Sequence, residues 1–353
     1  MIEIRNLSVV LGAFALHGVN LAVQTGEYFI MLGPTGAGKT VLLESIAGVQ
    51  PILSGEIWLG GRNVTQLEPE QRRASIVYQD HMLFPHYTVR ENVTFGPRMR
   101  RQAPAQVAAA LERAVALLGI ERLLHRRPDT LSGGERQKVA LARAIVTDPE
   151  VLLLDEPLGA LDPQTREGVQ QELIRLQAEL GITVLHVTHD FEEAVIMGDR
   201  IAVIGDGAIR QVGAPDEVFR HPNSEFVARF TMTSNVFAGA AVKEDGGRAV
   251  FIVDGVRIVT GADLEGPCHA SIRPEDILIA DAAAAAFPDD GCNRFTGVIT
   301  QIVQKGSVVL VTAALPPPLV CLLTRRAYGE MGLRVGQAVR LTVAPSAVHL
   351  FRG

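Results

Sequence analysis

The eight residues Gly33-Pro34-Thr35-Gly36-Ala37-Gly38-Lys39-Thr40 limit what this chain can fold into more than any other stretch. They fit the spacing G-x-x-x-x-G-K-[ST]. An apolar run before them, Tyr28 to Leu32, reads as a strand, and Val41 to Ala47 after them reads as a helix. A strand, a glycine-rich turn and a helix in that order form a cradle for polyphosphate. Gly33, Gly36 and Gly38 let the backbone turn sharply and bring its N–H groups to the ligand, and the helix start adds partial positive charge. On this reading Lys39 reaches the terminal phosphates and the Thr40 hydroxyl ligates Mg²⁺. The bland alternative, a glycine-rich turn carrying a surface lysine, is weakened by the strand and helix on either side.

A chain of 353 residues is too long for one ordinary domain and suits two. Its net charge of -6 argues against nucleic acid as a partner, because phosphate contacts need a basic face. Cys268, Cys292 and Cys321 lie in the C-terminal third without C-x-x-C spacing, so neither a metal site nor a disulfide framework is expected. The N-terminus enters a strand pattern directly and no apolar run reaches the length of a membrane span. A soluble, cytoplasmic protein follows, with any membrane association made through a partner.

Residues 2 to 32 read as a small antiparallel sheet leading into the strand before the cradle, and Phe14 is the aromatic placed to stack on a purine base, or else a core residue. Ser75 to Gln79 reads as a strand whose terminal amide, Gln79, can reach a metal ion or an attacking water. The segment Asp80 to Val93, with Met82, Leu83, Phe84 and Tyr87, carries the apolar character of a docking surface. Residues 104 to 124 have helical spacing that ends at Gly119, with Arg126-Arg127-Pro128 as a break. Leu131-Ser132-Gly133-Gly134-Glu135 then opens a further helix, Lys138 to Val146, at once a capping box and a second anion site.

Val151 to Leu154 is a run of large aliphatics that suits a strand buried on both faces, and it ends in Asp155 and Glu156. One such carboxylate can hold Mg²⁺ while its neighbour polarises the attacking water. Asp162 follows in a loop, and the buried strand from Thr183 ends at His189, placed to hydrogen-bond a terminal phosphate.

Together these stretches resemble an ATP-binding cassette ATPase over roughly residues 1 to 230, most specifically through Leu131 to Gln137. The resemblance implies an α/β P-loop NTPase with a RecA-like core, an antiparallel β subdomain and a helical subdomain. It also implies roles: Gly33 to Thr40 as Walker A loop, Gln79 as Q-loop glutamine, Ser132, Gly133 and Gly134 as signature, Asp155 as Walker B aspartate. Glu156 is then the catalytic carboxylate, Asp162 the D-loop aspartate and His189 the switch histidine. ATP and Mg²⁺ are the implied cofactors. Hydrolysis is implied to need a head-to-tail homodimer, because each signature closes over the other copy's ATP. Two residues depart from the pattern: Leu11 stands where a base-stacking aromatic is usual, leaving Phe14 as substitute, and Gly159 stands where serine is common.

Past Phe230, short strand patterns near 249–259, 268–280, 295–304, 307–313, 319–324 and 338–351 point to a small all-β, OB-like domain over 231–353, with 282–291 as a linker. Ser271 to Asp276 resembles the accessory (TOBE) domain of import ATPases, which implies a regulatory or dimerisation module. The chain is similar in detail to the molybdate/tungstate import ATPases, through Gly26-Glu27-Tyr28-Phe29, Val184 to Asp190 and Leu323 to Arg326. That likeness implies permease subunits and an extracytoplasmic binding protein as partners, a place at the cytoplasmic face of the membrane, and an oxyanion at the C-terminal domain. Lys305, Ser307, Thr324, Arg325 and Arg326 are donors of suitable type for it. Importers of sulfate, ferric iron, polyamines and sugars share most of these features and stay open as alternatives. A non-transport cassette ATPase is the alternative from another class, though none of its usual second cassette or coiled-coil insertion is visible here.

Overall fold

The computed structural model describes residues 1–231, 234–244, 249–282 and 291–352, and these divide into two compact units, Met1–Pro215 and Asp216–Gly353. The expected linker over 282–291 falls almost wholly outside the described residues.

In the first unit β1 (Ile2–Leu11) and β2 (Phe14–Val23) form an antiparallel pair ahead of β3 (Tyr28–Leu32), which leads through the glycine-rich turn into α1 (Lys39–Ala47). β4 (Ser54–Leu59), β5 (Arg62–Asn63) and β6 (Ala74–Val77) follow, then the helices α2 (Val89–Met99), α3 (Pro104–Leu118) and α4 (Gly133–Ile145). β7 (Val151–Asp155), α5 (Pro163–Leu180), β8 (Thr183–Thr188), α6 (Phe191–Met197), β9 (Arg200–Gly205) and β10 (Ala208–Gly213) complete it. Among the described residues the strands make a four-stranded sheet, β2-β1-β4-β5, and a six-stranded sheet, β10-β9-β3-β8-β7-β6.

The inner strands β3, β7 and β8 run parallel and are buried along their whole length, which is why they read as largely apolar runs, while β6 pairs parallel with β7 at the sheet edge and is mostly half-buried. Phe29 to Leu32 and Leu153 and Leu154 are fully buried. Each such side chain contributes about 1.5–3 kcal/mol relative to exposure. Parallel strands deliver their carboxyl ends to one edge, so the turn after β3, Asp155 after β7 and His189 after β8 arrive together there.

Helix ends follow local chemistry. α3 stops at Gly119, which adopts the left-handed conformation (φ 62°), where the helical spacing also ends. α4 starts at Gly133, ahead of the expected Lys138, because Ser132 and Glu135 close a reciprocal capping box there.

The second unit opens with most of α7 (Pro215–Arg220) and with α8 (Glu225–Phe230), so the division comes before residue 230, the boundary read from sequence. The reason is packing: His349 Nε2 donates to the Pro222 carbonyl at 2.9 Å and His269 lies 3.5 Å from Glu225, which ties these helices to the sheet that follows.

That sheet runs β13-β12-β11-β14-β20, from β11 (Asn235–Lys243), β12 (Ala249–Val253), β13 (Val256–Thr260), β14 (Gly266–Ile272) and β20 (Val348–Phe351). A second has β15 (Ile277–Asp281), β19 (Ala338–Val343), β16 (Asn293–Lys305), β17 (Val308–Ala314) and β18 (Leu319–Thr324), with α9 (Arg325–Met331) after β18. Both sheets are antiparallel and share one core, including Phe251, Ile272, Val311 and Leu341, as an OB-like domain requires. β11 is hidden in the sequence because it is rich in small residues. A Cβ on Gly239 would meet the Ile252 carbonyl at 2.4 Å and the Phe251 ring at 2.6 Å, so only glycine fits under that neighbour.

Candidate active site

The turn after β3 is shaped for close approach. A Cβ at Gly33 would lie 2.5 Å from the Ile204 carbonyl, and Gly38 adopts φ 98° with its α-carbon against the Phe14 ring. Lys39 Nζ donates to the Gly33 carbonyl at 2.7 Å and to that of Pro34 at 3.1 Å, folding the ammonium over the turn that it closes. Burial lowers its pKa, against Glu156 and Asp155, which raise it.

Across the sheet edge the Thr40 hydroxyl meets both Asp155 oxygens, each at 3.1 Å. Burial pushes the Asp155 carboxyl above its ordinary range; the Thr40 hydrogen bond opposes that and Glu156 and Glu44 add to it. The hydroxyl and carboxylate are hard oxygen donors of the kind Mg²⁺ takes, one or two from protein and the rest from phosphate and water. No group of three or more His, Cys, Asp or Glu side chains able to hold a metal ion occurs among the described residues.

Glu156 has φ 43°, a left-handed conformation uncommon for a non-glycine residue, and its N–H donates to the Val187 carbonyl at 3.0 Å. That backbone turn directs the side chain towards β8, where His189 Nδ1 lies 3.1 Å from Glu156 Oε1. Gln79 lies past the end of β6 and is exposed; its amide stands close to Gly159, and Glu156 Oε2 close to the same glycine. A cavity of about 330 Å³ is lined by Leu11, Phe14, Thr35, Gly36, Gly38, Lys39, Thr40, Val41 and Glu156. Phe14 thus lines the cavity, with its ring edge packed on Gly38.

Ser132, Gly133, Gly134 and Asp162 form a separate group. Ser132 caps α4 and Asp162 caps α5 by accepting from the Thr165 N–H at 3.1 Å. Gly134 packs on Thr165 so closely that a Cβ would come within 2.7 Å of its methyl. None of the four is among the residues lining the cradle cavity.

One feature was invisible in the sequence. His81 and Met82, two and three residues past Gln79, both adopt positive φ (63° and 44°), and Arg143 of α4 grips their carbonyls at 2.8 and 2.6 Å. No local spacing marks this pairing, because its partners belong to distant stretches. Beyond it Met82, Phe84 and Tyr87 remain substantially exposed, with Phe84 and Tyr87 in ring contact (5.6 Å).

In the second unit the five expected donors are not one group. Thr324 caps α9 by accepting from the Ala327 N–H, and Arg326 pairs with Glu330 on the exposed face of the same helix. Lys305 instead borders a cavity of about 500 Å³ together with Arg229 and Arg273. Arg229 has no local signal, and Arg273 lies in the Ser271 to Asp276 stretch that resembles the accessory domain. Among the described residues no helix is long and apolar enough to cross a membrane.

Residues 16–159 match the ABC transporter family model and residues 270–351 the TOBE domain. The molybdate/tungstate import ATP-binding protein of Pyrococcus horikoshii is 40% identical over 99% of this chain and 100% of its own length. The spermidine/putrescine import ATP-binding protein of Acidothermus cellulolyticus is 42% identical over 85% of this chain and 79% of its own. Among solved structures, the dimeric ATP-binding cassette MJ0796 bound to ADP and Pi is 30% identical with a TM-score of 0.55, covering 61% of this chain and 99% of that one. Full-length kinship of this kind, added to a phosphate cradle flanked by paired carboxylates, means that the chain belongs to the ATP-binding proteins of ABC transporters.

Proposed function

We propose that this protein is the ATP-hydrolysing subunit of an importer for molybdate or tungstate, working as a head-to-tail dimer at the cytoplasmic face of a membrane permease. The observation that carries the reading is the convergence of Lys39, Thr40, Asp155, Glu156 and His189 on one sheet edge, in a chain related end to end to molybdate/tungstate import proteins.

In this reading Gly33 to Gly38 and Lys39 hold the phosphates of ATP, and Thr40, Asp155 and Gln79 would hold Mg²⁺, an ion that would supply charge neutralisation for phosphoryl transfer. Glu156 orients and accepts a proton from the attacking water. His189, held against Glu156, contacts the γ-phosphate. Ser132, Gly133, Gly134 and Asp162 lie outside their own chain's cavity, which supports their service to a partner's ATP. Closure on ATP and release after hydrolysis then follow from differential binding of the two nucleotide states.

The exposed Met82, Phe84 and Tyr87 support a permease contact close to Gln79. An extracytoplasmic binding protein would meet the permease from the other side. The Arg229, Arg273 and Lys305 cavity supports an oxyanion site in the TOBE unit, with Arg326 outside it. Uptake by the protein reconstituted with its permease and binding protein tests the reading. Molybdate or tungstate accumulation that depends on ATP and ignores excess sulfate supports it; uptake of sulfate or a polyamine in their place overturns the substrate.

A further inference from the structure

Two of the stretches that carry the likeness to molybdate/tungstate importers, around Tyr28 and around His186, meet inside the first unit. Tyr28 Oη lies 3.1 Å from His186 Nδ1 and the rings meet edge to face at 6.0 Å. On the other side of the imidazole, His186 Nε2 lies 3.3 Å from Glu193 Oε2. The three side chains come from β3, β8 and the first turn of α6, and none is more than 3% exposed.

Burial and the nearby Glu193 hold the Tyr28 hydroxyl well above its ordinary range, so it stays a donor. Burial opposes ionising Glu193, but His186, the Thr188 hydroxyl and Arg166 outweigh it and keep the carboxyl below its ordinary range. The Tyr28 hydroxyl faces His186 Nδ1, while His186 Nε2 and Glu193 Oε2 stand within ion-pair distance but outside hydrogen-bond geometry.

An ionised carboxylate under the sheet is a poor way to gain stability, since well-packed apolar residues of similar size do as well or better. What it supplies is orientation. Glu193 and His186 stand on either side of the turn between β8 and α6, the turn that presents His189. The same turn is drawn tight by Asp190, whose N–H donates to Thr188 Oγ1 at 3.0 Å and whose carboxylate caps α6 and pairs with Arg166 at 3.5 Å. His189 in turn sits 3.1 Å from Glu156.

We propose that Tyr28, His186 and Glu193 are positioning residues for hydrolysis: a buried hydroxyl–imidazole–carboxylate chain that sets the β8–α6 turn and so holds His189 against Glu156. The proposal rests on the reading of Glu156 and His189 as the hydrolytic pair. It makes the strand that leads into the phosphate cradle and the helix that follows His189 one mechanical piece, joined through an imidazole.

Steady-state ATP hydrolysis by the full-length protein tests this with Glu193→Gln and Tyr28→Phe, each in the wild-type and in the His189→Ala background, beside Glu156→Gln. The expected result is a kcat lowered about tenfold by Glu193→Gln and about threefold by Tyr28→Phe, with KM for ATP within about twofold of wild type. In the His189→Ala background neither change lowers the residual rate further, because the group they act through is gone. Tyr28→Phe removes one oxygen and carries the test should Glu193→Gln not fold. Wild-type kcat in both variants, a rise in KM that accounts for the loss, or equal losses with and without His189 overturns the proposal. Undiminished turnover in Glu156→Gln overturns the underlying reading of the site instead.

Discussion

His189 Nδ1 stands 3.1 Å from Glu156 Oε1, joining the end of β8 to a residue whose own backbone is held in the left-handed region. In the proposed reading this contact makes the phosphate-contacting histidine and the water-activating carboxylate one unit.

Glu156→Gln keeps the shape of that unit and removes the proton acceptor. Steady-state phosphate release is expected to fall by about 10²–10⁴-fold, the usual weight of a general base. ATP binding should be retained, as measured by calorimetry in the same buffer.

Gly33→Ala tests the cradle's fit. The added Cβ meets the Ile204 carbonyl at 2.5 Å, a backbone atom that cannot swing aside. A loss of about 1–3 kcal/mol in chemical denaturation without nucleotide is expected, the usual scale of overpacking, together with weakened ATP binding.

Asp155→Asn separates stability from function. Burial, more than the neighbouring charges, raises the native carboxyl pKa, so the native state binds this proton more readily than the unfolded chain. Its stability contribution is therefore present at acid pH and is lost as pH rises through the carboxylate range. At neutral pH the amide, which still accepts from Thr40, is expected to raise the melting temperature of the nucleotide-free protein by about 1–2 °C. Hydrolysis should collapse in the same variant. Melting curves between weakly acid and neutral pH should show the wild type gaining on acidification and the variant gaining less.

Phe84→Asp places a charge in the ring contact with Tyr87 and Phe95. Co-purification with the permease is expected to be lost, while ATP still stabilises the variant against heat. Retained co-purification would move the docking surface elsewhere.

The sequence made the cradle and the two buried strands beside it legible because their signals are local: a fixed glycine spacing, and apolar runs that end in Asp155 and His189. What it hid depends on residues that meet only after folding. Tyr28 and His186 were noticed separately, but their contact with Glu193 needs three elements brought side by side. Arg143 reads as an ordinary helix cation until its grip on the His81 and Met82 carbonyls is seen. In the second unit, charge type alone grouped Arg326 with Lys305, whereas α9 carries Arg326 into an ion pair with Glu330 and Lys305 joins Arg229 and Arg273. β11 escaped because Gly239 must be small beneath Phe251, and small residues carry no alternating pattern.

In the proposed dimer each hydrolytic site is shared between two copies, with the cradle of one and the signature of the other. Mixing a Lys39→Ala chain with a Gly134→Asp chain tests it most directly, since neither variant alone retains an intact site. If the account is right, differently tagged heterodimers recover ATP hydrolysis, because one pairing joins an intact cradle to an intact signature. If isolated heterodimers stay as inactive as their parents, the site is not shared in this way and the account is contradicted.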